Sequence, residues 1–307
     1  MVFREAFAKQ RQKFEDILAK NGLSSTPPPV PSASKPPYNP NLQQSLGPPP
    51  PPYWQADFSP SNPVTANFRP DLGAGGWGNN EAQTYVSRPE NAFHAQGNAL
   101  VLRAIAASHL PPEERYTSTR FNTHATLGRA QGFVTATLTA PCARGIWPAF
   151  WLLPSEPFAW PTDGEVDIFE AWNASRTNHA CLHWGHFTPA DAKKHRVAET
   201  PLPELGMRAY RFGWAWEQPP SGDGGRCVWY VDGVPVMRAS RPPGTRRFED
   251  WRVVLNIAMG GDVCNKTIPA DGVYDFVVHE LKFCEEPEGG WPKFEQDWGY
   301  AAEGHTM

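Results

Sequence analysis

From Tyr53 onward the apolar residues of this chain tend to recur at every second position, and that periodicity limits its fold more than any other feature. Gly132 to Thr139 sets Phe133, Thr135, Thr137 and Thr139 against Val134, Ala136 and Leu138, and Asn98 to Ala104 alternates around Leu100 and Leu102. Successive side chains of a strand point to opposite faces, so segments of this kind build sheets with one buried face. Tyr210 to Trp216 and Cys227 to Val234 predict a hairpin, the second strand ending in a Val231-Asp232-Gly233 turn. Val253 to Gly261 and Phe276 to Phe283 predict further strands. Short strands at regular spacing, with little helical periodicity, predict an all-β sandwich, and 307 residues suffice for one large domain of that class over 53–285.

Two segments precede that domain. Residues 1–26 gather Phe3, Phe7, Phe14, Ile17 and Leu18 on one helical face, which predicts a short amphipathic helix that docks on the domain, a partner or a membrane surface, or stays a loose tail. From Pro27 to Pro52, 12 of 26 positions are proline, too stiff and too poor in apolar side chains to pack as a domain. That stretch reads as a linker, with a Pro-recognising partner as the other reading. Residues 286–307, with Pro287, Gly289, Gly290 and Pro292, are expected to lie over the surface or fray.

Within the domain, Gly164 to Glu170 reads Gly-Glu-Val-Asp-Ile-Phe-Glu, three carboxylates on an apolar segment. Strand alternation puts Glu165 and Asp167 on one face and Val166 and Ile168 on the other. Strict alternation would send Glu170 to the side of Val166. One extra residue at Ile168-Phe169, a β-bulge, returns it to the face of Glu165 and Asp167. Like charges in a partly desolvated site cannot all ionise freely, so one carboxyl keeps a proton while another is ionised. Retaining glycoside hydrolysis needs that division, with the two groups roughly 5–5.5 Å apart. The expected roles are nucleophile for Glu165 and general acid, then base, for Glu170. Asp167 lies between them and orients Glu165. Esterification of Glu165 removes its charge and turns Glu170 from proton donor to proton acceptor.

The flanking residues sharpen this reading. Trp147-Pro148-Ala149-Phe150-Trp151 precedes the acidic segment, and together the two stretches resemble glycoside hydrolase family 16, the laminarinase-like β-glucanases, with their bulged Glu-x-Asp-x-x-Glu. The resemblance spans about Tyr53 to Glu285. It implies a concanavalin A-like jelly roll of two curved antiparallel sheets, with a β-glucan lying across the concave one. The implied activity is retaining hydrolysis of internal β-1,3 or mixed β-1,3/1,4 bonds. Further site residues follow from it: Asn80 contacting substrate and Glu81 supporting it in Gly78-Asn79-Asn80-Glu81-Ala82-Gln83, the cleft arginine Arg120, the cleft histidine His183, and Asn256 at the cleft floor. Trp147 and Trp151, four apart on one strand face, are expected to be sugar platforms. Family members often hold calcium through an aspartate where this chain has His279, and imidazole is a poor ligand for that hard cation. The run His179, His183, His186 suggests zinc, yet on a strand the three would not share a face. No metal is therefore expected. No cofactor is expected either, because both acid and nucleophile are side chains. A transglycosylase would carry the same carboxylates, whereas a non-catalytic glucan-binding protein would be expected to have lost Glu165 or Glu170.

Composition narrows the partners. A net charge of -4 leaves no basic footprint for nucleic acid, and no stretch reaches the apolar length of a transmembrane segment. A neutral ligand fits, as do thirteen Trp able to cover sugar faces. The chain is expected to act as a monomer. Five widely spaced cysteines, an odd number, and an N-terminus without a signal peptide's apolar core predict an intracellular, reducing setting, with secretion by another route as the alternative reading.

Overall fold

The structure is a computed structural model that describes residues 51–186, 188–191 and 193–306. The expected N-terminal helix and all of the Pro-rich linker but its last two residues lie outside the described residues. The strands, in chain order, begin with β1 (Pro52–Gln55), β2 (Phe68–Pro70), β3 (Thr84–Tyr85), β4 (Ala92–Ala95), β5 (Ala99–Ala106) and β6 (Tyr116–Ser118). Next come β7 (Arg120–Thr123), β8 (Gln131–Thr139), β9 (Ile146–Pro154), β10 (Glu165–Glu170), β11 (Thr177–His183) and β12 (His195–Pro201). The last are β13 (Tyr210–Glu217), β14 (Arg226–Val231), β15 (Val234–Ser240), β16 (Trp251–Met259) and β17 (Gly272–Cys284), followed by helix α1 (Gly290–Tyr300).

They form two sheets. One has seven strands in the order β12-β11-β10-β9-β16-β7-β2; the other has ten and runs β15-β14-β13-β8-β17-β5-β6-β3, with β1 paired to β17 and β4 to β5. Every pairing between these strands is antiparallel except β3 with β6. The all-β sandwich read from the periodicity is the observed architecture. The predicted hairpin forms between β13 and β14, and the Asp232-Gly233 turn leads on into β15.

The core lies between the sheets, where Phe150, Leu152, Val166, Ile168, Phe169, Leu255 and Ile257 of the seven-stranded sheet meet Phe212, Trp214, Trp229, Phe276 and Phe283 of the other. Phe169 reaches across to Phe212 and Phe276, with ring centroids 4.6 and 6.1 Å away. Each such side chain contributes about 1.5–3 kcal/mol on burial.

The C-terminal segment lies over the surface of the domain, but as a helix that the sequence reading did not include. Residues 290–300 form a helix, and Phe294 is fully buried on the outer face of the ten-stranded sheet against Phe133 and Tyr230, with Trp291 and Trp298 beside it. Arg226 pairs with Glu217 of its own sheet and Glu295 of the helix. Trp291, Phe294 and Trp298 are spaced as one helical stripe. Pro292 is accommodated because it sits in the first turn, where its missing N–H has no helical partner to lose. Among the described residues no helix is long and apolar enough to cross a membrane.

Candidate active site

The acidic strand β10 pairs with β9 through Asp167 opposite Trp151 and then Phe169 opposite Phe150, so one residue of β10 has no counterpart. That is the bulge expected at Ile168-Phe169. Its cause is packing: Ile168 and Phe169 are consecutive yet both fully buried in the core, which strict alternation forbids. With both turned inward, Glu170 emerges on the face of Glu165.

A bulge breaks the ladder, so its backbone groups need other partners. Asn178 of β11, fully buried, supplies two of them: its Oδ1 accepts from Glu170 N–H at 3.0 Å, and its Nδ2 donates to the Ile168 carbonyl at 3.1 Å. Trp229 of the opposite sheet donates its indole N–H to the Asp167 carbonyl at 2.9 Å. The kink is thus held from one neighbouring strand and from across the core. Asn178 was not foreseen; its signal was a residue of low strand propensity inside an otherwise strand-like run.

Glu165 and Glu170 line one cleft with Trp77, Glu81, Tyr85, Arg120, Trp147, Ala149, Trp151 and Asn256. Glu165 is buried to 1% exposure, and its Oε2 accepts from the Trp160 indole at 2.8 Å. Glu170 is more open, and its Oε1 accepts from the Trp147 indole at 3.0 Å. Asp167, also 1% exposed, faces His183, with Oδ2 3.4 Å from Nε2; the same ring nitrogen is 3.9 Å from Glu165 Oε1. His183 and Asp167 therefore stand beside the cleft rather than among the residues that line it.

The floor is wired. Trp151 donates to Asn256 Oδ1 at 2.7 Å, and Asn256 Nδ2 donates to the Tyr85 hydroxyl at 3.1 Å. Burial, reinforced by nearby Glu81, pushes the Tyr85 phenol well above its ordinary range, so it stays neutral. The Arg120 guanidinium lies 4.7 Å from the Trp151 ring centroid and 5.1 Å from that of Trp77. Asp71 holds it from behind at 3.1 Å and accepts from Asn122 at 2.8 Å with the same oxygen. Glu81 lines the cleft, its two oxygens accepting from Asn79 and Gln83, while Asn80 is exposed and donates to Asp262 at 2.7 Å. Trp147 and Trp151 both line the cleft, at 5% and 6% exposure. Trp77, Tyr85, Trp160 and Asp71 were missed by sequence reasoning. Trp77 and Tyr85 bound the Asn79-Asn80-Glu81 string on either side, whereas Trp160 and Asp71 reach the site from loops that carry no local signal.

Gly164 immediately precedes Glu165 with φ 102°, and a Cβ there would meet the fully buried Trp251 ring at 2.9 Å. Gly164→Ala should cost about 2–5 kcal/mol, combining left-handed strain with overpacking, and denaturant melts would register it as a lower midpoint.

The sequence placed here matches a family profile described as XgeA-like, catalytic GH16 domain, over residues 81–204. A glucan endo-1,3-beta-glucosidase of Cryptopygus antarcticus is 36% identical over 228 residues, covering 68% of this chain and 80% of that protein. The chain belongs to glycoside hydrolase family 16. It also matches the clotting factor G alpha subunit of Tachypleus tridentatus, 28% identical over 255 residues, but spans only 36% of that longer protein. The X-ray structure of the laminarinase from Rhodothermus marinus has the same fold, with a TM-score of 0.62 at 24% identity over 76% of this chain and 96% of that one.

Two metal questions meet the geometry. His279, at a register shift of β17, shares a 2.9 Å hydrogen bond with the Thr139 hydroxyl, a nitrogen-bearing pair unlike the oxygen cage that calcium requires. His179 stacks on Trp172 at 3.9 Å, and burial holds its imidazole below the ordinary value, while His186 lies against Thr162. Among the described residues, the one group of His, Cys, Asp and Glu side chains close enough to share an ion is Asp167, Cys181 and His183, whose ligand atoms lie within 4.8 Å of one another.

Proposed function

We propose that this family 16 domain is an endo-acting, retaining β-glucanase that cuts internal β-1,3 or mixed β-1,3/1,4 glucosidic bonds. The observation that supports it is the bulge at Ile168, through which Glu165 and Glu170 share one cleft. Glu165, oriented by the Trp160 indole, attacks the anomeric carbon as Glu170 gives its proton to the departing sugar oxygen. A glycosyl ester forms on Glu165. Glu170, now ionised, takes a proton from water, and the water oxygen replaces the ester. Arg120 between Trp77 and Trp151 offers donors and an aromatic wall to sugar hydroxyls and C–H faces.

Reducing-end assays on β-1,3, β-1,4, mixed-linkage and galactan substrates, with chain-length analysis of products, test the substrate class. Cleavage of laminarin or mixed-linkage glucan into shorter chains is expected; chains longer than the substrate would instead mark a sugar acceptor. Proton NMR of the earliest products decides the stereochemistry: the β-anomer should come first, and an α-anomer in the first minutes would overturn retention.

A further inference from the structure

We propose that Cys181, His183 and Asp167 form a binding site for a divalent ion of the zinc type directly behind the nucleophile, and that its occupation shuts the enzyme off. The inhibitory half rests on the glucanase reading; the site itself does not. Strand geometry creates it: Cys181 and His183 are two apart on β11 and so share a face, and β10 pairs Asp167 with Cys181 and Glu165 with His183. Cys181 Sγ lies 3.2 Å from His183 Nε2, and that nitrogen lies 3.4 Å from Asp167 Oδ2. Tetrahedral ligands on bonds of about 2.0–2.3 Å stand roughly 3.3–3.8 Å apart, so sub-ångström movements suffice to close the three around one ion. Glu165 Oε1, 3.9 Å from the same nitrogen, is the natural fourth ligand.

The chemistry of the set selects the ion. Thiolate with imidazole favours zinc, cobalt or cadmium over the hard cations calcium and magnesium. Asp167, Cys181 and Glu165 are at most 4% exposed, and buried carboxylates are stabilised by a coordinated cation. Glu165 lies at the cleft wall, and beside the cleft the His183 side chain is 22% exposed, which leaves the cluster open to an ion from solvent. On binding, Cys181 releases its proton to solvent and the thiolate donates to the metal. The bound ion would hold Glu165 away from the anomeric carbon. This cluster is not the run His179, His183, His186 that the sequence suggests and strand geometry rejects, since only His183 is common to both.

Cobalt titration of chelator-treated protein is the direct test. A thiolate-to-cobalt charge-transfer absorption should appear and saturate at one ion per chain, unaffected by excess magnesium or calcium, and it should vanish in Cys181→Ser, Cys181→Ala and His183→Gln. Zinc should abolish most glucan cleavage by the wild type, reversibly on chelation, and little of the residual rate of the Cys181 variants, each measured against its own metal-free rate. Absence of the band in wild type, or its persistence in both Cys181 variants, overturns the site. A saturating band without any glucan cleavage by the metal-free protein would uphold the site and remove the glucanase instead.

Discussion

Glu165→Gln should lower glucan turnover by on the order of 10⁴-fold or more, because the covalent path disappears with the nucleophile. Glu170→Gln should cost about 10²–10⁴-fold, the range of a lost general acid–base. Glutamine keeps the volume of each side chain, so folding and glucan affinity should survive and the loss should sit in kcat. Size alone does not assign the roles; azide does. With Glu165→Ala the small anion fits the space left by the carboxyl and attacks the anomeric carbon directly, giving an α-glycosyl azide. With Glu170→Ala the ester on Glu165 still forms from an activated aryl glycoside, and azide, needing no base, displaces it to give the β-azide. Opposite anomers from the two variants are the expected result. A β-azide from the Glu165 variant would exchange the two assignments, and near-wild-type turnover in either variant would remove that residue from the mechanism.

The division between what the sequence disclosed and what it withheld is physical. The bulge was legible because its cause is local: two apolar residues sit consecutively between acids that must face outward, and only an inserted residue reconciles them. Strand β8 was legible for a similar reason, since period two is written along Gly132 to Thr139, whereas β9 and β16 are apolar at nearly every position because both of their faces are buried. Helix α1 was readable in principle from Trp291, Phe294 and Trp298, but the surrounding Gly289, Gly290 and Pro292 read as a broken tail. The hydrogen-bonded string from Trp151 through Asn256 to Tyr85 was not legible. It exists only because Trp151 of β9, Asn256 of β16 and Tyr85 of β3 are brought together by contacts more than a hundred residues apart in sequence. The same holds for Asp71 behind Arg120 and for the placement of Glu81, rather than Asn80, at the cleft wall. Composition said nothing of the Cys181–His183–Asp167 cluster, since its members come from two strands and their proximity follows from register.

Asn178→Ala should combine a large loss of stability with a loss of catalysis, although the residue is not among those that line the cleft. Its amide meets both backbone groups that the bulge withdraws from the ladder, Glu170 N–H and the Ile168 carbonyl, in a fully buried place. Leaving a buried backbone group without a partner costs about 1–3 kcal/mol, so the pair should cost about 2–6 kcal/mol. Regular pairing would restore both bonds, but it requires Ile168 or Phe169 to leave the core, at about 1.5–3 kcal/mol for either side chain. These figures are similar, so the variant should relax toward an altered bulge rather than keep the native one under strain, and Glu170 should shift. A displacement of about 1 Å is enough for a 10²-fold loss of rate. Because the shifted group is the proton donor, the loss in kcat/KM should be large on glucan, whose departing oxygen must be protonated, and small on a dinitrophenyl glycoside, whose leaving group needs no proton; kcat should fall on both, because water attack on the ester still needs Glu170 as base. Gly132→Ala is the control: within the ten-stranded sheet, away from the bulge, a Cβ there meets the ring of its cross-strand partner Trp216 at 2.7 Å, so it should lower the melting temperature while turning over both substrates normally below it. An Asn178→Ala protein whose kcat/KM falls equally on the two substrates, or on neither, would mean that the amide holds the fold without aiming the acid.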